Sequence, residues 1–242
     1  MNYGDLNQKE AKIFLNEEQM TALLPVGAVE VHGDHLPLDT DCCLARRVAE
    51  QVEERMGSRR CLVLPCVPYG QVWSLGNVPG SIHIPDEVLA DYLYGIAKSL
   101  EHAGLKKLAV INGHVGNGNA VKEMMRKAYE KLDMKIFQFT YPGAADVIGR
   151  VCTSKRPHKV YFHADEIETS YMLYLCPEKV RMEEAVSQDV TFPVDYEYTP
   201  ARWSDFMETA VLGDATAASG EKGKQIIDAV VDNIVRILKG EN

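Results

Sequence analysis

The stretch KLAVINGHVGNGN, from Lys107 to Asn119, decides the fold class of this chain. Its apolar run predicts a short buried strand, its glycines and asparagines predict a turn, and helical spacing of apolar residues begins at Asn119. The same order recurs along the chain. Strands are predicted at Thr21–Gly27, Cys61–Val67, Lys107–Asn112 and Lys135–Thr140, and helices at Thr40–Met56, Asp86–Gly104, Asn119–Leu132, Ala164–Leu175 and Gly220–Leu238. This alternation favours an α/β fold with a mostly parallel sheet and helices on both faces.

Composition excludes several classes of protein. The chain has 242 residues, 46% hydrophobic and 25% charged, so we expect one globular domain spanning residues 1–242. A net charge of −9 would repel phosphate backbones, so nucleic acid is not an expected partner. We expect no membrane association, because no apolar run reaches the ~20 residues of a membrane span. With six cysteines, no CxxC pair and no signal-peptide pattern, we expect reduced thiols and a soluble, cytoplasmic protein.

Polar residues follow the first and third predicted strands. Glu30 and His32 lie two apart in an extended segment and so face the same way, and Asp41 opens the next helix. His114 stands in the glycine-rich turn after the third strand. If the two strands are neighbours, these side chains meet at one edge of the sheet and are suited to bind zinc or manganese. The alternative is that Asp41 only caps its helix and that His114 is an exposed turn residue.

A third polar group is HADEIETS, residues 163–170. If it opens a helix, His163 and Glu166 lie one turn apart on one face, whereas Glu168 points elsewhere. Acidic residues are also favoured at a helix N-terminus by the dipole, and for Asp165 this structural interpretation is the better one.

Four segments resemble, in order, the motifs of the creatininase family. They are PVGAVEVHGDHLPLDTD (25–41), NGHVGN (112–117), HADEIETSYMLYLCPEKV (163–180) and VLGDATAASGEKG (211–223). The first is similar to the family's E-x-H-G-x-H-L-P-L-x-T-D signature, the second to its NGHGGN motif and the third to its HAGE motif. The resemblance implies a three-layer α/β/α sandwich with a mostly parallel central sheet, a centre of two divalent metal ions, and a homohexamer.

The resemblance also implies the metal ligands, with zinc expected ahead of manganese or iron. They are Glu30, His32, Asp41, His114 and Glu166. Asp41 would bridge the two ions. In creatininase proper the last glutamate follows the turn histidine by two residues, where this chain has Gly116. Glu166 is the expected replacement, as in family members with HAGE.

The activity implied is that of a hydrolase acting on a small molecule. A metal-bound hydroxide would open a cyclic amide or a related carbonyl compound, and His163 or Glu168, which match positions near the reacting group, would relay a proton. Rival activities are C–C hydrolysis of a cyclic keto-sugar such as 3-dehydro-scyllo-inosose and deformylation of a formamide. A non-enzymatic alternative is a metal-binding or ligand-binding protein that retains the fold. Trp73, in a Gly/Pro-rich segment, either covers the substrate or packs in the core.

Overall fold

Four parallel strands form the central sheet of the computed structural model, which describes residues 1–15, 17, 19–57 and 60–241. They are β1 (Thr21–Val26), β2 (Cys61–Val63), β3 (Lys107–Asn112) and β4 (Lys135–Phe139), in the spatial order β2-β1-β3-β4. Strand β1 pairs with β3 from Thr21↔Lys107 to Val26↔Asn112, so the two strands end level. The turns that follow them therefore leave the sheet side by side, which meets the condition that the predicted site required.

Helices cover both faces of this sheet. They are α1 (Gln8–Leu15), α2 (Thr40–Met56), α3 (Asp86–His102), α4 (Gly118–Lys131), α5 (Ala144–Val151), α6 (Glu166–Leu175) and α7 (Gly220–Lys239). Alternate side chains of each strand point to opposite faces. Leu23 and Ala109 pack in one core with α2, α5, α6 and α7, whereas Leu24 and Leu108 pack in a second core with α1, α3 and α4. This confirms the three-layer α/β/α arrangement. Within the described residues, no helix is long and apolar enough to span a membrane.

Several predicted boundaries differ from the structure, and those of β2 and α6 differ for identifiable local reasons. Strand β2 ends at Val63 instead of Val67, because Pro65 has no N–H to donate and only an isolated Val26↔Val67 bridge continues the pairing. Helix α6 begins at Glu166, two residues later than predicted, with Asp165 as its N-cap. Ala164, at φ +49°, turns the chain before the helix starts.

A third hydrophobic cluster closes the structure above the ends of β1 and β3. Trp203 and Leu75, from short 3₁₀ segments, pack there with Val72, Ala28 and Leu212. Segment 187–199 contributes β5 (Ser187–Gln188), which pairs with β6 (Gly213–Asp214). Its Val190 belongs to the cluster, and its Phe192 and Tyr196 pack against it. These loops cover the edge of the sheet at which the polar residues lie.

Candidate metal centre

Five acidic and imidazole side chains from separate elements meet at the end of β1 and β3. Glu30 and His32 come from the segment after β1, Asp41 from the first turn of α2, His114 from the turn after β3, and Glu168 from the first turn of α6. Glu30, His32, Asp41 and Glu168 are at most 4% exposed. Charged groups are buried to this extent only when other charges or metal ions compensate them.

Asp41 stands at the middle of the cluster. Its Oδ1 lies 3.5 Å from Nε2 of His32, and its Oδ2 lies 3.0 Å from Nδ1 of His114. On one side, Glu168 Oε2 is 3.4 Å from His32 Nε2; on the other, Glu30 Oε2 is 3.3 Å from His114 Nδ1. The side chains thus form two groups, Glu30–Asp41–His114 and His32–Asp41–Glu168, each with its donor atoms within 4.8 Å of one another. Asp41 belongs to both.

Main-chain carbonyls orient the imidazole rings. His32 Nδ1 lies 3.0 Å from the carbonyl oxygen of Glu30, and His114 Nε2 lies 2.7 Å from that of Gln71. Because a carbonyl only accepts, each of these nitrogens carries a proton and the other ring nitrogen is free to face the carboxylates. A histidine held in this way by its outer nitrogen is the usual arrangement at protein metal sites.

Burial and mutual charge shift the ionisation of the cluster strongly. Burial raises the pKa of Glu30 to about 7, and it also raises that of Glu168. Burial would lower the pKa of His32, but Glu168 and Asp41 raise it to about 10; Glu30 and Asp41 similarly raise that of His114 to about 9. Although burial opposes it, the two histidines lower the pKa of Asp41. The site therefore attracts positive charge.

Glu166 lies outside this cluster, so its expected convergence with His32 is wrong. Its carboxylate accepts hydrogen bonds from the N–H of Thr153 at 3.0 Å and from the N–H of Ser154 at 2.8 Å, and it pairs with Lys222 of α7 at 2.5 Å. The prediction assumed helical spacing from His163, but the helix starts only at Glu166. Glu168 instead approaches His32, with its Oε2 also accepting the N–H of Ala164 at 2.7 Å.

His163 borders the cluster beside His32. The two ring centroids are 4.3 Å apart, and His163 Nδ1 lies 3.8 Å from Oε2 of Glu30. Its Nε2 lies 2.8 Å from the carbonyl oxygen of Val31, which leaves Nδ1 facing the carboxylates. Burial and the nearby His32 lower the pKa of His163. Together with Glu30 and His32 it forms a third group with metal-ligand spacing.

A cavity of about 340 Å³ opens above the cluster. Its floor includes Glu30, Asp41, His114, His163 and Glu168, and its walls include Gln71, Trp73, Asn119, Lys122, Tyr161, Tyr196 and Trp203. The indole of Trp203 donates a hydrogen bond to the hydroxyl of Tyr196 at 2.7 Å and contacts the edge of His163, with centroids 5.6 Å apart. This volume suits a small molecule, which would lie between aromatic side chains and the polar floor.

Sequence reasoning missed several of these groups. Tyr161, Tyr196 and Lys122 line the cavity but stand in no motif that the sequence displays. The carbonyl groups of Gln71 and Val31 leave no trace in the sequence, because every residue has one. The amide of Asn112 donates to the carbonyl oxygen of His114 at 2.6 Å and shapes the turn.

Comparison with known proteins supports one family. The family model described as creatinine amidohydrolase, creatininase, matches residues 4–238. Creatinine amidohydrolase of Pseudomonas putida is 29% identical over 98% of this chain and 96% of its own length. Mycofactocin precursor peptide peptidase of Mycobacterium tuberculosis is 30% identical over 88% of this chain and 82% of its own. The 3-dehydro-scyllo-inosose hydrolase of Thermotoga maritima is 27% identical over 90% of this chain and 76% of its own length.

Solved structures agree with this match. A creatininase variant structure described as Zn-Zn type superimposes with a TM-score of 0.84 at 26% identity, covering 98% of this chain and 96% of its own. A structure described as creatininase Mn superimposes with a TM-score of 0.82 at 26% identity, covering 98% of this chain and 97% of its own. The similarity extends over nearly the whole of both chains, and therefore includes the elements that carry the cluster.

Proposed function

This chain belongs to the creatininase family, and from that premise we propose that it is a metal-dependent hydrolase that opens a cyclic amide or a related carbonyl compound. The observation that carries the proposal is the pair of three-residue groups that share Asp41 on the floor of a cavity. A carboxylate common to two groups is suited to bridge two ions. The proposed ligands are Glu30, His32, Asp41, His114 and, in place of Glu166, Glu168.

The residues present fit two divalent ions. Oε2 of Glu30, Nε2 of His32 and Oδ2 of Asp41 are buried and have no hydrogen-bond partner among the described residues, since each facing imidazole holds its proton on the outer nitrogen. Buried polar atoms are rarely left unpaired in folded proteins, so these three require something else to bind them. Imidazole nitrogen and carboxylate oxygen are ligands that both zinc and manganese accept. Zinc is proposed ahead of manganese or iron; structures of relatives described as Zn-Zn type and as creatininase Mn support zinc and manganese alike.

When bound, such ions lower the pKa of a coordinated water to ~7 and polarise a carbonyl oxygen. The chain's own contribution is to hold the ligands rigidly. Asp41 is fixed in the first turn of α2, and the rings of His32 and His114 are fixed by carbonyl oxygens. Because these groups are already in place, little reorganisation is required when a substrate reacts.

His163 is proposed as the group that moves a proton to the leaving nitrogen. Its Nε2 proton is committed to the carbonyl oxygen of Val31, so transfer takes place at Nδ1, which faces the floor of the cavity. Nδ1 would first accept a proton from the attacking water and then donate that proton to the leaving nitrogen. Trp203 packs against the ring and limits its rotation. A proton carrier fixed in this way contributes ~10²–10⁴-fold to a rate.

Aromatic side chains complete the site. Trp73, Tyr161, Tyr196 and Trp203 line the cavity opposite the polar floor. They are suited to hold a flat ring by stacking and to exclude water from the reacting atoms. For Trp73 this supports the substrate-covering alternative.

The test combines elemental analysis with a substrate panel. Protein purified without added metal is assayed for zinc, manganese and iron, loaded with each, and incubated with cyclic amides, formamides and keto-inositols. We expect metal-dependent hydrolysis of a cyclic amide. No bound metal, no uptake on addition and no turnover would instead favour a ligand-binding protein that retains the fold.

A second candidate is C–C hydrolysis of a cyclic keto-sugar. It is favoured by the similarity to the Thermotoga maritima 3-dehydro-scyllo-inosose hydrolase. The same ions and the same proton carrier would serve, with carbon in place of nitrogen as the leaving atom. Turnover of keto-inositols without turnover of cyclic amides would select it. Selective turnover of formamides would select the deformylase.

We further propose that the chain assembles as a homohexamer, the assembly that its resemblance to the creatininase family implies. The resemblance covers nearly the whole chain. Light scattering at micromolar concentration should report six copies. A monomer under those conditions would contradict the proposal.

A further inference from the structure

Lys122 differs from the other residues that line the cavity. The floor carries the carboxylates of Glu30, Asp41 and Glu168, and the walls are largely aromatic. Among the described lining residues, Lys122 is the only lysine or arginine. A single cation in an otherwise acidic and aromatic cavity is suited to fix the orientation of a ligand.

The position of Lys122 on α4 directs it toward the cavity. Gly118 and Asn119, at the start of α4, also line the cavity, and Lys122 follows them by one helical turn on the same face. Side chains of a helix tilt toward its N-terminus. The lysine stem therefore extends back over Asn119 toward the cavity instead of away from it.

No carboxylate neutralises Lys122 within the described part of the chain. Some lysines pair with an acidic residue, such as Lys127 with Asp91 at 2.6 Å and Lys106 with Asp133 at 2.7 Å, whereas Lys122 does not. The first turn of α4 contains no acidic residue that could serve the same purpose. The ammonium group of Lys122 is thus available to a ligand.

We propose that Lys122, with the amide of Asn119 beside it, binds an anionic group of the substrate, a carboxylate or a phosphate. The inference rests on the proposed function for the identity of the bond that is cleaved, and it narrows the substrate class to acidic amides or related carbonyl compounds. In this arrangement the anionic end lies at the start of α4 and the reacting carbonyl lies at the floor. Lys122 acts as a positioning residue, because it contacts the substrate away from the reacting atoms.

Calorimetric titration of the full-length, zinc-loaded protein tests the proposal with three probes. Dihydroorotate is a cyclic amide with a carboxylate, dihydrouracil is the same ring without it, and inorganic phosphate is the second anion. The proteins are the wild type, Lys122→Ala, Lys122→Arg and the matched control Lys131→Ala. Lys131 is the last residue of α4, exposed and outside the cavity lining.

We expect Lys122→Ala to weaken anion binding about ten- to a hundredfold, the range for one charged hydrogen bond. Dihydrouracil binding should not change, Lys122→Arg should retain most of the affinity, and Lys131→Ala should match the wild type. Loss confined to dihydroorotate identifies a carboxylate, and loss confined to phosphate identifies a phosphate. Equal anion binding by Lys122→Ala and the wild type, or no anion binding by the wild type, would overturn the proposal.

The binding readout separates this inference from the proposed reaction. If no cyclic amide is hydrolysed but anion binding still depends on Lys122, only the proposed reaction fails. If cyclic amides are hydrolysed and the Lys122→Ala variant has an unchanged KM for dihydroorotate, only the inference about Lys122 fails. If the proposed reaction and the inference about Lys122 both hold, the Lys122→Ala variant should have a higher KM for dihydroorotate and a nearly unchanged kcat. The reason is that Lys122 makes the same contact in the ground state and in the transition state.

Discussion

Replacing Glu166 by glutamine should destabilise the fold and leave the metal content unchanged. Replacing Glu168 by glutamine should lower the metal content without destabilising the metal-free fold. The two glutamates lie two residues apart in the first turn of α6 and are both buried. Glu166 binds Lys222 and the N–H groups of Thr153 and Ser154, so it joins α6 to α7 and to the segment after α5. Glu168 faces the proposed metal ligands.

The size of the effect follows from the contacts. Glu166 accepts a charged hydrogen bond from Lys222, and its oxygens also accept the Oγ–H of Ser154 at 2.6 Å and two main-chain N–H groups. The amide NH₂ of glutamine would face these donors with a donor of its own. Breaking a buried pair costs about 3–5 kcal/mol; because Lys222 is 21% exposed and can reach water, we expect about 2–4 kcal/mol. For a chain of this length the melting temperature should fall by roughly 5–15 °C.

Thermal melts and elemental analysis of the same preparations check this, with Glu168→Gln as the matched control. Without metal, Glu168→Gln should melt no lower than the wild type, because it removes one of three crowded buried carboxylates. Its zinc content should fall. If Glu166→Gln loses zinc and Glu168→Gln retains it, the assignment of the two glutamates is wrong.

Three further predictions concern single side chains. His163→Ala should retain both metal equivalents and slow turnover by ~10²–10⁴-fold, since it removes a proton carrier; loss of a metal equivalent would make His163 a ligand. Asp41→Asn should lose metal as well as activity in the same assays, because both groups share that carboxylate. Asp228→Asn should reduce the free energy of unfolding at neutral pH by less than about 1 kcal/mol, since the pair that Asp228 forms with Arg55 is partly exposed. Although burial opposes it, Lys224 and Arg55 lower the folded-state pKa of Asp228. Its contribution is therefore present above ~pH 4 and lost as the pH falls, and urea melts of variant and wild type should converge once the pH is below the lowered folded-state pKa of Asp228.

The parts of the fold that depend on local pattern were predictable. The helix at Thr40–Met56 and the strand at Lys107–Asn112 have the predicted bounds, because apolar periodicity and capping signals decide both. The adjacency of β1 and β3 was only a condition of the predicted site, and the structure meets that condition. The choice between Glu166 and Glu168 was not predictable, because it depends on the left-handed turn at Ala164, which is alanine and not glycine. No local signal marks that backbone conformation.

The orientation of the imidazoles by main-chain carbonyls makes the centre resistant to mutation. Substituting Gln71 removes its side chain but not the carbonyl oxygen that holds His114, and the same is true of Val31 and His163. Loop residues that face the cavity, such as Trp73 and Ser74, can therefore vary without disturbing the proposed ligands. One scaffold can in this way acquire new substrates through loop substitutions alone. Relatives of this chain are named for creatinine, for 3-dehydro-scyllo-inosose and for a precursor peptide.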